Sequence, residues 1–291
     1  MEKEKVNLSI IILFFKEKEN QFINLLKSLE GLSNFSISYE IIVINNSSKN
    51  LNLNFKNTFF INNNKNLGVA TSRNQGALIS KGEVLLFLDA DVIVLIEDVL
   101  RAYNYLIKNK NIDGLGLESV SLDGKVLSKF FKLPSFWFIF FEIFCIEKKY
   151  KRIIEPKRVE FVPGGAFMVK RFSFFKVGLF DEKFSLYGWE DTDWFKRAKK
   201  LNLVIFYYPY SKIIHLMHTS SKAASLRSVD FYFSSIYYYK KHFGKILAFF
   251  VLLFILFFSF LRLIINIFKK DKEKNKQLLR LIKGIIFSYI R

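Results

Sequence analysis

The sequence predicts an α/β domain built on a parallel sheet and followed by a helical C-terminal extension. Short continuous apolar runs alternate with segments in which small or apolar residues recur at helical spacing. Strands that alternate with helices favour parallel pairing through right-handed crossovers. From residue 222 onwards the pattern changes to long helices rich in apolar and basic residues.

The first half of the chain supplies most of the predicted sheet. Buried strands are predicted by apolar runs at residues 8–15, 39–48, 58–63 and 82–94. Between them, helices are expected at about 18–30 and over 66–80, where small residues recur at helical spacing. Each strand would therefore be followed by polar turn residues at one edge of the sheet.

The second half is less regular, especially at about 120–160. The run 136–146 fits either a core segment or a face against a membrane, and 159–171 resembles a strand broken by a Pro-Gly-Gly turn. A helix is expected from near Glu190 to Leu201, and a strand at 203–209.

Composition excludes some classes of protein. Aromatic residues make up 18% of the 291 residues, which is too many for a disordered chain. Cys145 is the only cysteine, so no intrachain disulfide forms and a reducing compartment is the simplest expectation. The apolar run near the N-terminus is too short for a signal peptide and is interpreted as the first strand.

The formal charge of +19 is concentrated in the tail. Residues 222–291 carry 14 basic and 3 acidic residues, a net charge of +11, against +8 for residues 1–221. The basic residues flank a long apolar run, which favours an anionic membrane over nucleic acid as the partner. We therefore predict two domains, 1–221 and 222–291, the second a helical membrane-associating region.

The apolar run at 246–261 leaves three interpretations open. Its 16 residues would form a helix of about 24 Å, short of the roughly 30 Å of a bilayer core. It fits a helix packed on the preceding domain, a spanning helix if extended to residue 268, or a segment that lies on or dips into a leaflet. Residues 278–291 add a basic amphipathic pattern, typical of interfacial helices.

Polar side chains collect where the predicted strands end. Asn45 ends one apolar run, and Asp89 and Asp91 end another, two residues apart. Ligands of such sheets bind beyond the carboxyl ends of the strands. Two carboxylates on the same side of a strand can hold a divalent cation, although an ordinary surface turn also uses aspartate.

Three further groups have both a structural and a functional interpretation. The paired glycines, Gly164 and Gly165, indicate either a plain bulge or the close approach of a ligand. His215 and His218 are compatible with a metal pair or with ordinary core histidines. The acids of 190–193 suit the first turn of a helix, or they serve a chemical role.

The order of these motifs resembles that of one enzyme family. SIIILFF, IIVINNSS, NLGVATSRNQGA, LLFLDAD, PGGAFMV, GLFDEKF, WEDTDWFKRA and a downstream IIH follow one another over roughly residues 7–245. The set is similar to that of the family-2 inverting glycosyltransferases with the GT-A fold, a Rossmann-like mixed sheet flanked by helices. Within them it most resembles bacterial rhamnosyltransferase-like enzymes of surface polysaccharide assembly.

The resemblance implies a site for a nucleoside-diphosphate sugar. Phe15 would stack on the base, Asn45 would accept a hydrogen bond from a pyrimidine, and Arg73 would lie near the nucleotide. Asn45 stands where the family has an acid, and an amide oxygen can still accept that bond. Asp89 would lie near the ribose.

The resemblance also implies a metal and a catalytic base. Asp91 and His215 would hold Mg²⁺ or Mn²⁺, which stabilises the leaving nucleoside diphosphate. Asp191 would act as general base toward the acceptor hydroxyl. Trp189 and Glu190 would shape the acceptor pocket, while Gly164 and Gly165 would let the donor sugar approach the backbone.

The function implied is an inverting hexosyl- or deoxyhexosyltransferase. Its acceptor would be a hydroxyl of a glycan, expected to be lipid-linked, at the cytoplasmic face of the membrane; nucleic acid is not an expected partner. A nucleotidyltransferase would need a glycine-rich phosphate loop after the first strand, which FFKEKEN is not. A non-catalytic basic binding protein would need its charge on the sheet domain.

Overall fold

A computed structural model describes most of the chain. It describes residues 6–15, 17–127, 132–135, 138, 152–162, 165–184, 188–216, 229–268, 275, 278–279 and 282–283. Gly164, His218, nearly all of the run 136–146 and most of the predicted helix at 278–291 lie outside these residues.

The chain divides into two compact units. The first comprises Met1–Leu133, Tyr150–Glu182 and Glu190–His218, and the second comprises Pro134–Lys149, Lys183–Trp189 and Thr219–Arg291. The domain boundary predicted at residues 221 and 222 stays a prediction.

The first unit is built on a mixed nine-stranded sheet. Its strands are β1 (Leu8–Phe14), β2 (Tyr39–Asn45), β3 (Thr58–Asn62), β4 (Val84–Asp89), β5 (Val92–Val94), β6 (Gly114–Val120), β7 (Lys157–Val159), β8 (Ala166–Lys170) and β9 (Ile205–His215). Their order is β3-β2-β1-β4-β8-β6-β9-β5, with β7 paired to β9.

The predicted parallel pairing is confirmed for β1 with β2 and β4, and for β2 with β3. These strands are nearly continuous apolar segments because both faces of the sheet are covered. The antiparallel strand β8 lies between β4 and β6, so the sheet as a whole is mixed.

Two predicted strands differ in extent. The single strand predicted over 82–94 is two strands, because a turn at Ala90 and Asp91 separates β4 from β5. The strand predicted at 203–209 continues to His215 as β9. The residues between Tyr208 and Lys212 are extra relative to β6, and Pro209, which cannot donate to a ladder, lies in this bulge.

Helices cover both faces of this sheet. The four long ones are α1 (Glu19–Glu30), α2 (Val69–Ile79), α3 (Ile96–Lys108) and α5 (Glu190–Lys200), with the short α4 (Arg171–Val177) after β8 and a 3₁₀ turn at Gly31–Asn34. One apolar cluster joins one sheet face to α1 and α3, and a second joins the other face to α2, α4 and α5.

The second unit contains α6 (Val229–Phe243) and α7 (Lys245–Phe268), joined through Gly244. An aromatic and aliphatic cluster holds the two helices together, including Tyr238, Tyr239, Val251 and Ile255. Gly244 has φ +94°, a left-handed conformation that glycine adopts without strain. Lys245–Ile265 is long and apolar enough to cross a membrane, judged by length and composition alone.

Helix α2 lies unusually close to β1. A β-carbon at Gly76 would lie 2.4 Å from Cγ2 of Ile11, a fully buried, branched side chain with little freedom to move. Gly76 therefore sets the spacing between α2 and the strand whose carboxyl end leads into the candidate site.

We expect Gly76→Ala to destabilise the first unit despite the better helix propensity of alanine. Overpacking costs about 1–3 kcal/mol, and the helix gains at most about 1 kcal/mol in return. Thermal unfolding should show a lower midpoint. Leu78→Ala is the matched control on the exposed side of the same helix, and it should change the free energy of unfolding by no more than about 0.5 kcal/mol. An unchanged midpoint for Gly76→Ala would contradict the close packing.

Candidate active site

Three potential metal ligands meet at one edge of the sheet. Asp89 ends β4, Asp91 lies in the turn before β5, and His215 ends β9. The pairing of Val92 with His215 brings the end of β9 beside that turn, and the amide of Leu216 donates to the carbonyl of Asp91 at 2.9 Å. The ligand atoms of the three side chains lie within 4.8 Å of one another.

The charges in this cluster influence one another. Nε2 of His215 is 3.6 Å from Oδ2 of Asp89 and 3.6 Å from Oδ1 of Asp91. The carboxylate of Asp89 in particular raises the pKa of His215. Loss of surrounding water favours the protonated form of Asp89, but His215 and Arg73 outweigh it, so the pKa of Asp89 lies below its usual value.

Two carboxylates and an imidazole suit a divalent cation. Carboxylate oxygens are the preferred ligands of Mg²⁺ and also bind Mn²⁺. The imidazole favours Mn²⁺, the softer of these two ions. Both carboxylates are partly exposed, with side chains 33% and 17% accessible, so a second ligand such as a phosphate has room to approach. The residues present therefore fit a metal that is shared with a substrate.

Gly165 shapes this cluster from the neighbouring strand connection. Its carbonyl accepts a hydrogen bond from the amide of Asp89 at 3.1 Å. A β-carbon at Gly165 would lie 2.6 Å from Oδ2 of Asp89. Glycine is therefore needed here to leave the carboxylate in place, which is a more specific role than a plain bulge. Its neighbour Gly164 lies outside the described residues.

Arg73 joins the metal cluster to the start of α5. One guanidinium nitrogen lies 3.3 Å from Oδ1 of Asp89 and another lies 3.4 Å from Oε1 of Glu190. The arginine side chain is only 9% accessible. Buried charges persist when they are paired, so this arginine holds two acids from distant parts of the sequence in one place.

The start of α5 carries two acids in different environments. Glu190 is buried, and burial together with the charge of Asp191 raises the pKa of Glu190 to about 7. Its Oε2 has no hydrogen-bond partner among the described residues. Asp191 is half-buried, and its Oδ1 accepts a hydrogen bond from the amide of Thr192 at 2.6 Å.

Asp193 belongs to the helix rather than to the site. It is fully buried and pairs with Arg197 one turn later, at 2.9 Å. Arg197 also donates to the carbonyls of Val177 and Leu179. Through Arg197, this ion pair fixes α5 to the end of α4 and the segment that follows it.

Asn45 is more enclosed than its predicted role requires. It has no exposed surface, and its amide nitrogen donates to the carbonyl of Lys49 and to Oδ1 of Asn62. Its amide oxygen accepts bonds from the amide and the hydroxyl of Ser47. All four hydrogen-bonding positions are thus in use, and a bond to a base would have to displace one of these partners.

Sequence reasoning missed an amide network beside Asn45. Asn46 donates to the hydroxyl of Ser72 and accepts from Asn63, which in turn donates to Gln75. This network joins the ends of β2 and β3 to α2. The available signal was the run of asparagines after each strand, together with polar residues three apart on one face of α2.

The two remaining predicted residues lie in separate units. Phe15 follows β1 directly, is half-buried, and has an amide that donates to Glu17 at 2.6 Å. Trp189 is in the second unit, is 4% exposed, and packs against Tyr238 and Phe231. Its φ of +76° is rare for a bulky residue.

Comparison with known proteins identifies what this arrangement is similar to. Residues 9–178 match the family model described as glycosyl transferase family 2. Residues 150–219 match a model described as the N-terminal domain of galactosyltransferase. The first match covers more than half of the chain.

Two individual relatives agree with these matches. An uncharacterized glycosyltransferase of Methanocaldococcus jannaschii is 25% identical over 138 residues, covering 44% of this chain and 48% of the relative. The crystal structure of GalNAc-T7 with UDP, GalNAc and Mn²⁺ superposes with a TM-score of 0.56 at 17% identity, covering 74% of this chain and 44% of that one. The chain thus spans less than half the length of either relative, and the second likeness shows the GT-A-like fold.

We expect Asp91→Asn to weaken Mn²⁺ binding by more than about tenfold, since changes even to outer partners of a metal site cost 10–100-fold. The measurement is a titration of free Mn²⁺ by electron paramagnetic resonance on the protein without nucleotide. Asp123→Asn removes an exposed carboxylate outside the cluster and is the matched control. Equal Mn²⁺ affinity of Asp91→Asn and the parent protein would remove Asp91 from the metal site.

Proposed function

Because this chain belongs to glycosyl transferase family 2, we propose that it moves a sugar from a nucleoside diphosphate to a hydroxyl group of a glycan acceptor, with inversion at the anomeric carbon. The observation that carries the proposal is the cluster of Asp89, Asp91 and His215, tied through Arg73 to the helix that bears Asp191. The proposed cation site and the proposed base would then lie on elements held together by one buried arginine.

The cation proposed is Mg²⁺ or Mn²⁺, held by Asp89, Asp91 and His215. Such an ion neutralises charge on the diphosphate and stabilises the leaving group. The crystallisation of GalNAc-T7 with UDP and Mn²⁺ supports this choice by analogy of fold. Gly165 contributes by leaving room for the Asp89 carboxylate.

Asp191 is the residue we propose as general base. An inverting displacement needs one group that accepts the proton of the acceptor hydroxyl as it attacks. Asp191 is half-buried and so has surface available to a substrate. The raised pKa of Glu190 means that this buried neighbour is partly protonated near pH 7, which lessens the repulsion between the two acids.

The donor would lie across the carboxyl ends of β1, β2 and β4, as ligands do in such sheets. Phe15 is proposed to stack on a uridine or thymidine base. Asn45 and the amide network beside it would hold the loop that borders the base. Arg73 is buried between two acids and would make little direct contact with the nucleotide. Its proposed role is to hold the carboxylate of Asp89 in position.

We expect Asp191→Asn to lower the turnover of transfer by about 100- to 10,000-fold, the usual contribution of a general base. Affinity for the nucleotide sugar should stay close to that of the parent protein, because the base acts on the acceptor. Turnover and donor affinity are measured together over a panel of nucleotide sugars. The Asp91→Asn variant provides the contrast, since it should lose donor affinity as well. Turnover of Asp191→Asn within a few-fold of the parent would refute the assignment.

We further propose that the acceptor is lipid-linked and that the enzyme acts at the cytoplasmic face of a membrane. This would place it with the rhamnosyltransferase-like hexosyl- or deoxyhexosyltransferases of surface polysaccharide assembly. The support is the charge of +11 over residues 222–291 and the 24-residue apolar helix α7 within that region. An enzyme bound to the surface would meet a lipid-linked acceptor where it is presented.

The full-length protein should sediment with vesicles of anionic phosphatidylglycerol and remain bound in 1 M salt. Salt at that concentration reduces the screening length to about 3 Å. It therefore removes the attraction between basic side chains and anionic headgroups but leaves the apolar side chains buried in the lipid. Phosphatidylcholine vesicles, which lack net charge, should bind the protein more weakly, since each basic residue near an anionic surface contributes about 1 kcal/mol. Protein that stays in the supernatant with anionic vesicles at low salt would contradict membrane association.

A further inference from the structure

We propose that α6 and α7 form a hairpin that lies in the plane of an anionic membrane surface, with one face of α7 inserted among the lipids, and that α7 does not cross the bilayer. The inference rests on the membrane association proposed above and adds its geometry. Length alone leaves both spanning and in-plane insertion open, because the 24 residues of α7 would measure about 36 Å, enough to cross a bilayer core of roughly 30 Å.

One face of α7 is apolar and exposed along nearly its whole length. Seven exposed residues lie within one arc of the helix and are 36–78% accessible: Ile246, Phe249, Phe250, Leu253, Phe257, Phe260 and Ile264. At 100° per residue they form one straight stripe along the helix. Four of the seven are phenylalanines, so the stripe is large and free of polar groups.

The opposite face of α7 is buried in protein. Ala248, Val251, Leu252 and Ile255 are at most 5% accessible and belong to one cluster with Tyr238 and Tyr239 of α6. These positions lie half a turn from the exposed stripe. A helix that crossed the bilayer alone would present its whole circumference to lipid, whereas α7 presents one side.

Helix α6 cannot accompany α7 across a bilayer. Its 15 residues would measure about 22 Å, less than the roughly 30 Å of the hydrocarbon core. The hairpin tip carries Lys240, Lys241 and Lys245, all exposed. Spanning would carry these three charges through or into the apolar core, whereas an in-plane hairpin leaves them at the surface.

The charge of the hairpin selects anionic lipid over a second copy of this chain. Residues 229–268 contain four basic residues, Lys240, Lys241, Lys245 and Arg262, and one acidic residue, Asp230, at the far end of α6 from the hairpin tip. Two copies meeting through this stripe would bring like charges together, while phosphate headgroups would neutralise them. The observed combination of an apolar stripe and flanking basic residues is that of an interfacial helix.

The test measures the depth of single spin labels in vesicles of phosphatidylglycerol and phosphatidylethanolamine. Cys145, the only cysteine, is first replaced by serine. Labels are then placed singly at Ile246, Phe250, Leu253, Phe257, Phe260 and Ile264 of the full chain. Collision with oxygen and with a water-soluble nickel chelate reports the depth of each label. We expect one common depth, about 5–10 Å into the boundary between headgroups and acyl chains.

Two control positions calibrate the measurement. A label at Lys240 should stay accessible to the nickel chelate, and a label at Val251, on the packed face, should be reached poorly by both collision partners. Each labelled protein must keep the Mn²⁺ affinity and melting temperature of the unlabelled chain. A stripe label that unfolds the hairpin would be replaced by one at Phe249, the remaining residue of the stripe.

Each outcome has a definite meaning. A profile that is deepest near Leu253 and shallow at Ile246 and Ile264 indicates a spanning helix and overturns the inference, while leaving membrane association intact. Stripe labels that remain accessible to the nickel chelate in the presence of vesicles overturn both the in-plane geometry and the proposed membrane association. Spin–spin broadening along the stripe without lipid contact would identify a second copy as the occupant and overturn the inference.

Discussion

The guanidinium group of Arg73 lies between two carboxylates that are distant in sequence, Asp89 at the end of β4 and Glu190 at the start of α5. A nearly buried guanidinium group needs an anionic partner, and here it contacts two acids, so the contact joins β4 to α5. The metal cluster is on one side of this contact and the candidate base follows Glu190 on the other. The spacing of the whole site therefore depends on a single ionic group.

The topology of the sheet makes this arrangement possible. Because β8 runs antiparallel between β4 and β6, its start places Gly165 against Asp89. Because β9 pairs with β5, His215 returns beside Asp91, more than a hundred residues later in the chain. The bulge at Pro209 allows β9 to continue that far. Membership of glycosyl transferase family 2 fits a sheet edge on which loops from several strands converge.

In the second unit, packing decides which surface is available. Helix α7 is apolar over most of its surface, and α6 covers one side of it. What remains is a phenylalanine-rich stripe with lysines at the hairpin tip. The membrane role that we propose rests on this unequal burial more than on hydropathy, since a buried core helix can be equally apolar.

The sequence by itself determined the parallel strands, the helices between them, the Asp89 and Asp91 pair and the acids at the start of α5. Each of these is a local pattern, in which apolar runs and helical spacing report burial directly. Only the tertiary structure decided that Asn45 is saturated by its own loop together with Asn62 of β3, that Arg73 pairs with Glu190, and which face of α7 is exposed. These depend on strand order, register and helix packing, which join residues far apart in the chain and leave no periodic signal in it.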